Sequence, residues 1–479
     1  MADEHPAPGE TTGPSPSGTP RPSRRARDED HRARQQSNTG TLADLSPRFW
    51  FLAVATGIAS GLGAILMMAV LRSVQHVAFD YHSGEYSTAA ARHSDVRLLV
   101  VLVVGGLITG AGLWAMRRFL GGTGGQPTAV VWSGRGRLSL PLTTLSGALS
   151  EVSIGLGGSI GRENAPQHIG AAFGAWVSER WPVPSEQQAL LIACGAGAGV
   201  GAVYNVPFAG ALFAAELYLG SISLGTVVPA LVTAAIATAV GWIALPIGPI
   251  YHLPKLGYPS FSLMAWAVLA GVVIGICAAG WVKLVGWASD RTPRGRALLI
   301  QPLLAFTVLG LLAIQWPLLL GNGRDLAQFA FTGAGALGTL AALAFLKPLV
   351  TAMCLRSGAI GGLFTPTMST GAVLGAFLGQ AWAHLFPGTP QASYAIVGSA
   401  AMLAAGMRTP VAAIAFAIEL PNSANPAILA MLLALGAAML TARQLDKRSI
   451  YTARLPHPAT SRTSPDATSI RPAVKAAAE

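Results

Sequence analysis

GSIGRENAP, residues 158–166, sets an arginine and a glutamate between two runs of small apolar residues, Ile154–Ile160 and Ile169–Val177. Both runs read as membrane-buried. A carboxylate at the bilayer centre costs about 2.5–3.5 kcal/mol on insertion scales, so Glu163 is a functional candidate by default. The stretch also has an echo. Gly158-Ser159-Ile160-Gly161 recurs as Gly358-Ala359-Ile360-Gly361, and Pro166 falls opposite Pro366. Leu120-Gly121 recurs as Leu320-Gly321, and Gly170-Ala171 and Gly174-Ala175 as Gly371-Ala372 and Gly375-Ala376. Further on, NVPFAGALFAAEL (205–217) lines up with RTPVAAIAFAIEL (408–420), pairing Pro207 with Pro410, Phe213 with Phe416 and Glu216 with Glu419. Ordered agreement of Gly, Pro, Phe and Glu at a nearly constant offset indicates an internal repeat.

Composition places that repeat in a membrane. Of 479 residues, 52% are apolar and 11% charged, against about 25% charged in a soluble domain. The long apolar stretches are 49–75, 98–116, 261–288, 298–320, 338–354 and 427–442. Others, such as 139–160, 167–177, 207–219 and 365–386, are shorter or broken by Gly and Pro. A straight span needs about 20 residues, so the short segments predict broken helices ending inside the membrane, where irregular backbone is tolerated only in protein or beside a cavity. Residues 1–48 hold seven Arg and seven Asp or Glu, and no basic face is gathered for nucleic acid. The three cysteines lie in apolar segments without metal-site spacing, and His168 has no second ligand at helical spacing.

Charge sets the expected orientation. Arg117 and Arg118, then Arg291, Arg294 and Arg296, then Arg443, Lys447, Arg448 and Arg454 follow apolar stretches, whereas 78–96 is acidic and 250–260 carries only Lys255. Both termini are expected in the cytoplasm of a multi-pass cell-membrane protein. The first helices of the two halves then run in opposite directions, an inverted repeat of the kind that places a transport site near the midplane. The expected organisation is a disordered cytoplasmic tail at 1–47, one repeat at 48–249, an inverted second repeat at 250–455 and a disordered tail at 456–479.

The Gly-rich breaks GGTGGQP (121–127), GGSIGRENAP (157–166) and GAIGGLFTP (358–366) each precede a new apolar helix. Helix N-termini converging there would bind an anion through backbone N–H groups and partial positive charge. With SIYTAR (449–454) near the end, this ordered set resembles the CLC chloride channel and chloride/proton antiporter family over residues 48–455. The resemblance implies an all-α membrane bundle of broken helices in an inverted repeat, forming homodimers with one ion pathway per subunit. It implies a gating and proton-accepting role for Glu163, in a motif with Gly161 and Arg162. It implies anion contacts from Gly362, Leu363 and Phe364, in a motif with Gly361 and Pro366, and from the Tyr451 hydroxyl.

The resemblance also has departures. Thr123-Gly124-Gly125-Gln126-Pro127 stands where the family carries G-S-G-I-P. Gly124 therefore lacks the serine hydroxyl, and Gly124 and Gly125 would serve the anion through backbone. Asn164-Ala165 replaces Gly-Pro. Leu217 stands where proton-coupled members carry an inner glutamate. The expectation is chloride transport gated by Glu163, by proton exchange or as a passive channel, with fluoride or another anion as an alternative cargo. It calls for no cofactor and no catalysis, since H-E-x-x-H and G-x-S-x-G motifs are missing. Glu216 and Glu419 read as polar groups bonded to backbone.

Overall fold

Serine caps and prolines start the long helices where the apolar stretches begin. Ser46 accepts a hydrogen bond from the Phe49 N–H ahead of Pro47, and Ser94 and Ser260 do the same for Arg97 and Leu263, satisfying donors that a helix start leaves unpaired. The computed structural model describes residues 42, 45–134, 137–254, 256–257, 259–422 and 426–455. The tails expected at 1–47 and 456–479 fall outside these residues except for Leu42 and 45–47, as does Lys255.

The described helices succeed one another in two similar series within a single unit, Leu45–Glu479. The first runs α1 (Pro47–Phe79), α2 (Tyr86–Ala91), α3 (Asp95–Phe119), α4 (Pro127–Ser133), α5 (Leu140–Gly155), α6 (Asn164–Arg180), α7 (Ser185–Tyr204), α8 (Pro207–Phe213, prolonged by a π-helical turn at Ala214–Tyr218) and α9 (Leu224–Gly241). The second runs α10 (Phe261–Asp290), α11 (Ala297–Gln315), α12 (Arg324–Phe331), α13 (Leu337–Arg356), α14 (Phe364–Ala383), α15 (Gln391–Met407), α16 (Pro410–Glu419) and α17 (Ile428–Leu445). The chain is all-helical among the described residues, apart from an isolated antiparallel bridge between Gly161 and Gly362.

Eight of these helices, α1, α3, α7, α9, α10, α11, α13 and α17, are long and apolar enough to cross a membrane. They differ in what surrounds them. The apolar window of α7 is 83% buried and that of α17 only 33%, so α7 runs through protein while α17 shows most of its face outward. Phe51, Leu62, Leu107, Leu269, Leu304 and Leu440 are exposed on α1, α3, α10, α11 and α17. So much outward apolar surface suits a hydrocarbon surround rather than water.

The helices that start inside are packed by contact between backbones. A Cβ on Gly170 of α6 would strike the Gly195 carbonyl of α7, and one on Gly371 of α14 would come within 2.6 Å of the Gly398 carbonyl of α15. Small residues let paired helices approach this closely. The N-termini of α6 and α14 are thereby held in the interior, with Asn164 and Phe364 both buried. The Gly161–Gly362 bridge joins the preceding loops, with N–H···O distances of 2.8 and 2.7 Å in its two directions. Behind it, the fully buried Lys347 of α13 donates to Ser159 Oγ at 2.8 Å and to the carbonyls of Leu319 and Gly321 at 3.2 and 3.0 Å. One ammonium therefore ties loops of both halves together.

Candidate functional site

Glu163 stands at the N-terminal edge of α6, 2% exposed, with its carboxylate turned towards the start of α14. The Phe364 N–H donates to Oε1 at 2.9 Å. The hydroxyls of Tyr204, at the end of α7, and of Thr365 reach Oε2 at 3.0 and 3.2 Å. Those hydroxyls are also 2.7 Å from each other. Gly161 and Gly362 make the space, since a Cβ on either would overlap the carboxylate. The side chain thus fills a cradle of one backbone and two hydroxyl donors, at a helix N-terminus whose partial positive charge favours an anion.

The other expected residues are placed unequally. Leu363 is the buried residue preceding α14. Gly362 offers no spare N–H, because it is bonded to the Gly161 carbonyl. Of the backbone donors in this segment, Phe364 is the one that meets the carboxylate. Gly361 accepts from Arg454 at 3.5 Å, and Pro366 lies buried in the first turn of α14, its carbonyl accepting from Ser369 and Thr370. Arg162 stacks on the Tyr204 ring at 5.2 Å, behind the cradle.

Tyr451 connects to the cradle through aromatic rings. Tyr204 meets Phe364, Phe364 meets Phe416, Phe416 meets Phe213 and Phe213 meets Tyr451, with centroid separations of 4.4 to 6.2 Å. Tyr451 and Gly362 line a cavity of about 220 Å³, together with Gln126, Asn164, Gln167 and Arg454. A smaller cavity of about 30 Å³ is lined by Arg162, Arg324, Asp325, Asn322 and Tyr86.

Gly124 and Gly125 do not line the larger cavity; the lining residues there are Gln126, Thr128 and Ala129. Gly124 is packed against the start of α5. Its φ is +100° and a Cβ would lie 2.6 Å from the Thr143 backbone nitrogen. The missing serine side chain is therefore a steric requirement of this backbone.

Glu216 and Glu419 are bonded to backbone, each capping the other half's helix. Glu216 accepts from the N–H groups of Val411 and Ala412 at 3.2 and 2.8 Å, and Glu419 from those of Phe208 and Ala209 at 3.2 and 2.7 Å. Leu217 is buried in the π-helical turn. Tyr204 and Thr365 were not singled out from sequence. Tyr204 is a lone hydroxyl at the end of an apolar helix and carries no motif, Thr365 lies within GAIGGLFTP without a stated partner, and only the fold brings these two to Glu163.

The profile of the voltage gated chloride channel family matches residues 105–443. The chain belongs to that family. A ClcB-like protein of Ralstonia nicotianae is 31% identical over 413 residues, covering 83% of this chain and 94% of that one. The H(+)/Cl(-) exchange transporter ClcA of Salmonella paratyphi A is 26% identical over 445 residues, covering 89% and 91%. Among solved structures, a slow cyanobacterial Cl-/H+ antiporter superposes with a TM-score of 0.73 at 25% identity, covering 85% of this chain and 97% of that chain. The broken-helix bundle expected from the sequence is thus the family's fold.

Proposed function

We propose that this family member moves chloride across a membrane, with Glu163 as the gate and protons exchanged against the anion. The observation that carries this reading is the cradle. Three donors and a helix N-terminus converge on a place that a small anion could occupy, and the protein's own carboxylate fills it. A protonated Glu163 would lose its charge-assisted bonds to Phe364, Tyr204 and Thr365 and vacate the place for the anion. Tyr451 would meet the anion from the larger cavity, with Gly362 forming part of its wall. The reading invokes no cofactor and no catalytic step.

A passive gated channel is the second reading, and one observation favours it. Glu216 is committed to the start of α16 and Leu217 is apolar, so α8 offers no free carboxyl for an inner proton step. Purified protein in liposomes, loaded with chloride, fluoride or nitrate while external pH is recorded, separates the readings. Uphill chloride movement driven by a proton gradient supports exchange, chloride flux without proton movement supports the channel, and no anion flux refutes both. We further propose a homodimer surrounded by lipid in the cell membrane, as the family resemblance implies, with both termini cytoplasmic on the support of the Arg and Lys distribution.

A further inference from the structure

We propose that Glu151 is a second proton-carrying carboxyl of the transport machinery. It lies on α5, fully buried, and neither carboxylate oxygen meets a hydrogen-bond partner among the described residues. The other interior acids are provided for. Glu163 has three donors, Glu216 and Glu419 have two backbone N–H groups each, and Asp325 accepts from the Ser87 N–H at 2.8 Å. An ionised carboxylate without donors or solvent is costly, and the neutral acid is the form such a place tolerates. A glutamate kept for structure alone would be expected to find a bond.

Its position joins it to the cradle. Ser150, the preceding residue, donates to the Ile360 carbonyl at 2.6 Å, so this turn of α5 abuts the loop that leads into Gly362. Ile154, nearly one turn on, lines the smaller cavity with Arg162, Arg324 and Asp325. That cavity is large enough for a water molecule, and its rim includes Tyr81 and Tyr86, beside the acidic segment 78–96. The charged groups acting on Glu151 are Arg162 and Glu163, which precede α6; α1 and α3, also packed on α5, contribute none.

Two carboxyls beside one guanidinium titrate as a pair. Burial away from donors holds the proton on Glu151 in the first place, and the charge of an ionised Glu163 adds to it. When Glu163 takes up a proton, Arg162 favours release from Glu151. The smaller cavity is lined by Ile154 and Arg162 and not by Glu151 itself, so the proton passes between the Glu151 carboxyl and water that enters from that cavity past Ile154, and no other reactant is needed. This rests on the reading of Glu163 as the gate.

The test uses Glu151→Gln and Glu151→Met, two neutral replacements of similar length, in full-length protein reconstituted in liposomes. The infrared spectrum of the wild type at neutral pH should contain a carboxylic-acid carbonyl band that shifts in heavy water and is missing from both variants. Both should still move chloride, while protons moved per chloride fall by roughly tenfold or more, as expected when a positioned proton-transfer group is removed. A wild-type spectrum identical to those of the variants overturns the proposal. So does a lost band with an unchanged proton-to-chloride ratio, or a wild type that moves chloride without protons. A wild type that moves no anion refutes the gate reading and the transport role of Glu151 together, while the band still reports whether Glu151 holds a proton.

Discussion

Phe364, Tyr204 and Thr365 hold Glu163 through one backbone N–H and two hydroxyls, and those bonds differ in what they protect. The N–H belongs to α14 and survives any side-chain change. The hydroxyls can be removed singly. A hydrogen bond to a charged group contributes about 1.5–3 kcal/mol. Tyr204→Phe, which keeps the ring beneath Arg162, should therefore raise chloride flux at neutral pH by roughly tenfold or more through easier release of the carboxylate. Thr365→Val should act in the same direction. A flux assay on both variants checks this, and slower transport in both would mean that the hydroxyls serve the open state. Glu163→Gln removes the charge and should flatten the dependence of flux on pH. An unchanged pH profile in that variant would remove Glu163 from the gate. Of this cradle, Glu163 and Phe364 were legible from sequence because glycine-rich breaks mark them. Tyr204, Thr365 and Glu151 were not, because Tyr204 and Glu151 lie within helices whose sequence does not state what lies opposite, and Thr365, although inside GAIGGLFTP, gives no sign there that its hydroxyl turns to Glu163.

At the scale of helices, the repeat is legible as paired glycines and paired glutamates, but their partners are not. Gly170 and Gly371 sit at matching positions and each faces a glycine carbonyl on the next helix. Gly170→Ala and Gly371→Ala should each destabilise the protein by about 1–3 kcal/mol, the usual effect of overpacking. Gly280 on α10, where a Cβ meets nothing within 4 Å, supplies the control. Melting of the purified protein in detergent should fall for the first two variants and not for Gly280→Ala, and equal melting of all three would show that the α6–α7 and α14–α15 contacts can relax. The glutamates behave likewise. The aligned sequences reveal that Glu216 and Glu419 are equivalent, whereas the exchange of caps between α8 and α16 needs the two halves to be antiparallel neighbours. Each carboxylate satisfies two N–H groups that a helix beginning at proline leaves open. Glu216→Ala and Glu419→Ala should each cost about 1–2 kcal/mol. A marked loss for one and none for the other would show that the two caps are not equivalent in energy.

Across the whole molecule, connectivity puts the two cavities on opposite faces. The smaller one borders Tyr81 and Tyr86, just before α3, and the larger one borders Gln126, just after it. Since α3 is a 25-residue apolar helix that crosses once, the segments at its two ends lie on opposite sides. Glu163 and its donors stand between, next to Arg162 on one side and Gly362 on the other. Access to the anion place from each face is therefore expected to be separate. The exposed Cys277 would first be replaced by Ala, leaving Cys194 and Cys354 buried. Asn322→Cys and Leu455→Cys then place one thiol at each cavity. A membrane-impermeant thiol reagent added outside intact cells should label Asn322→Cys and spare Leu455→Cys, and the pattern should reverse in inverted vesicles, if the arginine-rich loops are cytoplasmic as proposed. Labelling of both thiols from one face would contradict the single crossing of α3, and labelling in the reversed order would turn the proposed orientation over while leaving the cradle between the cavities intact.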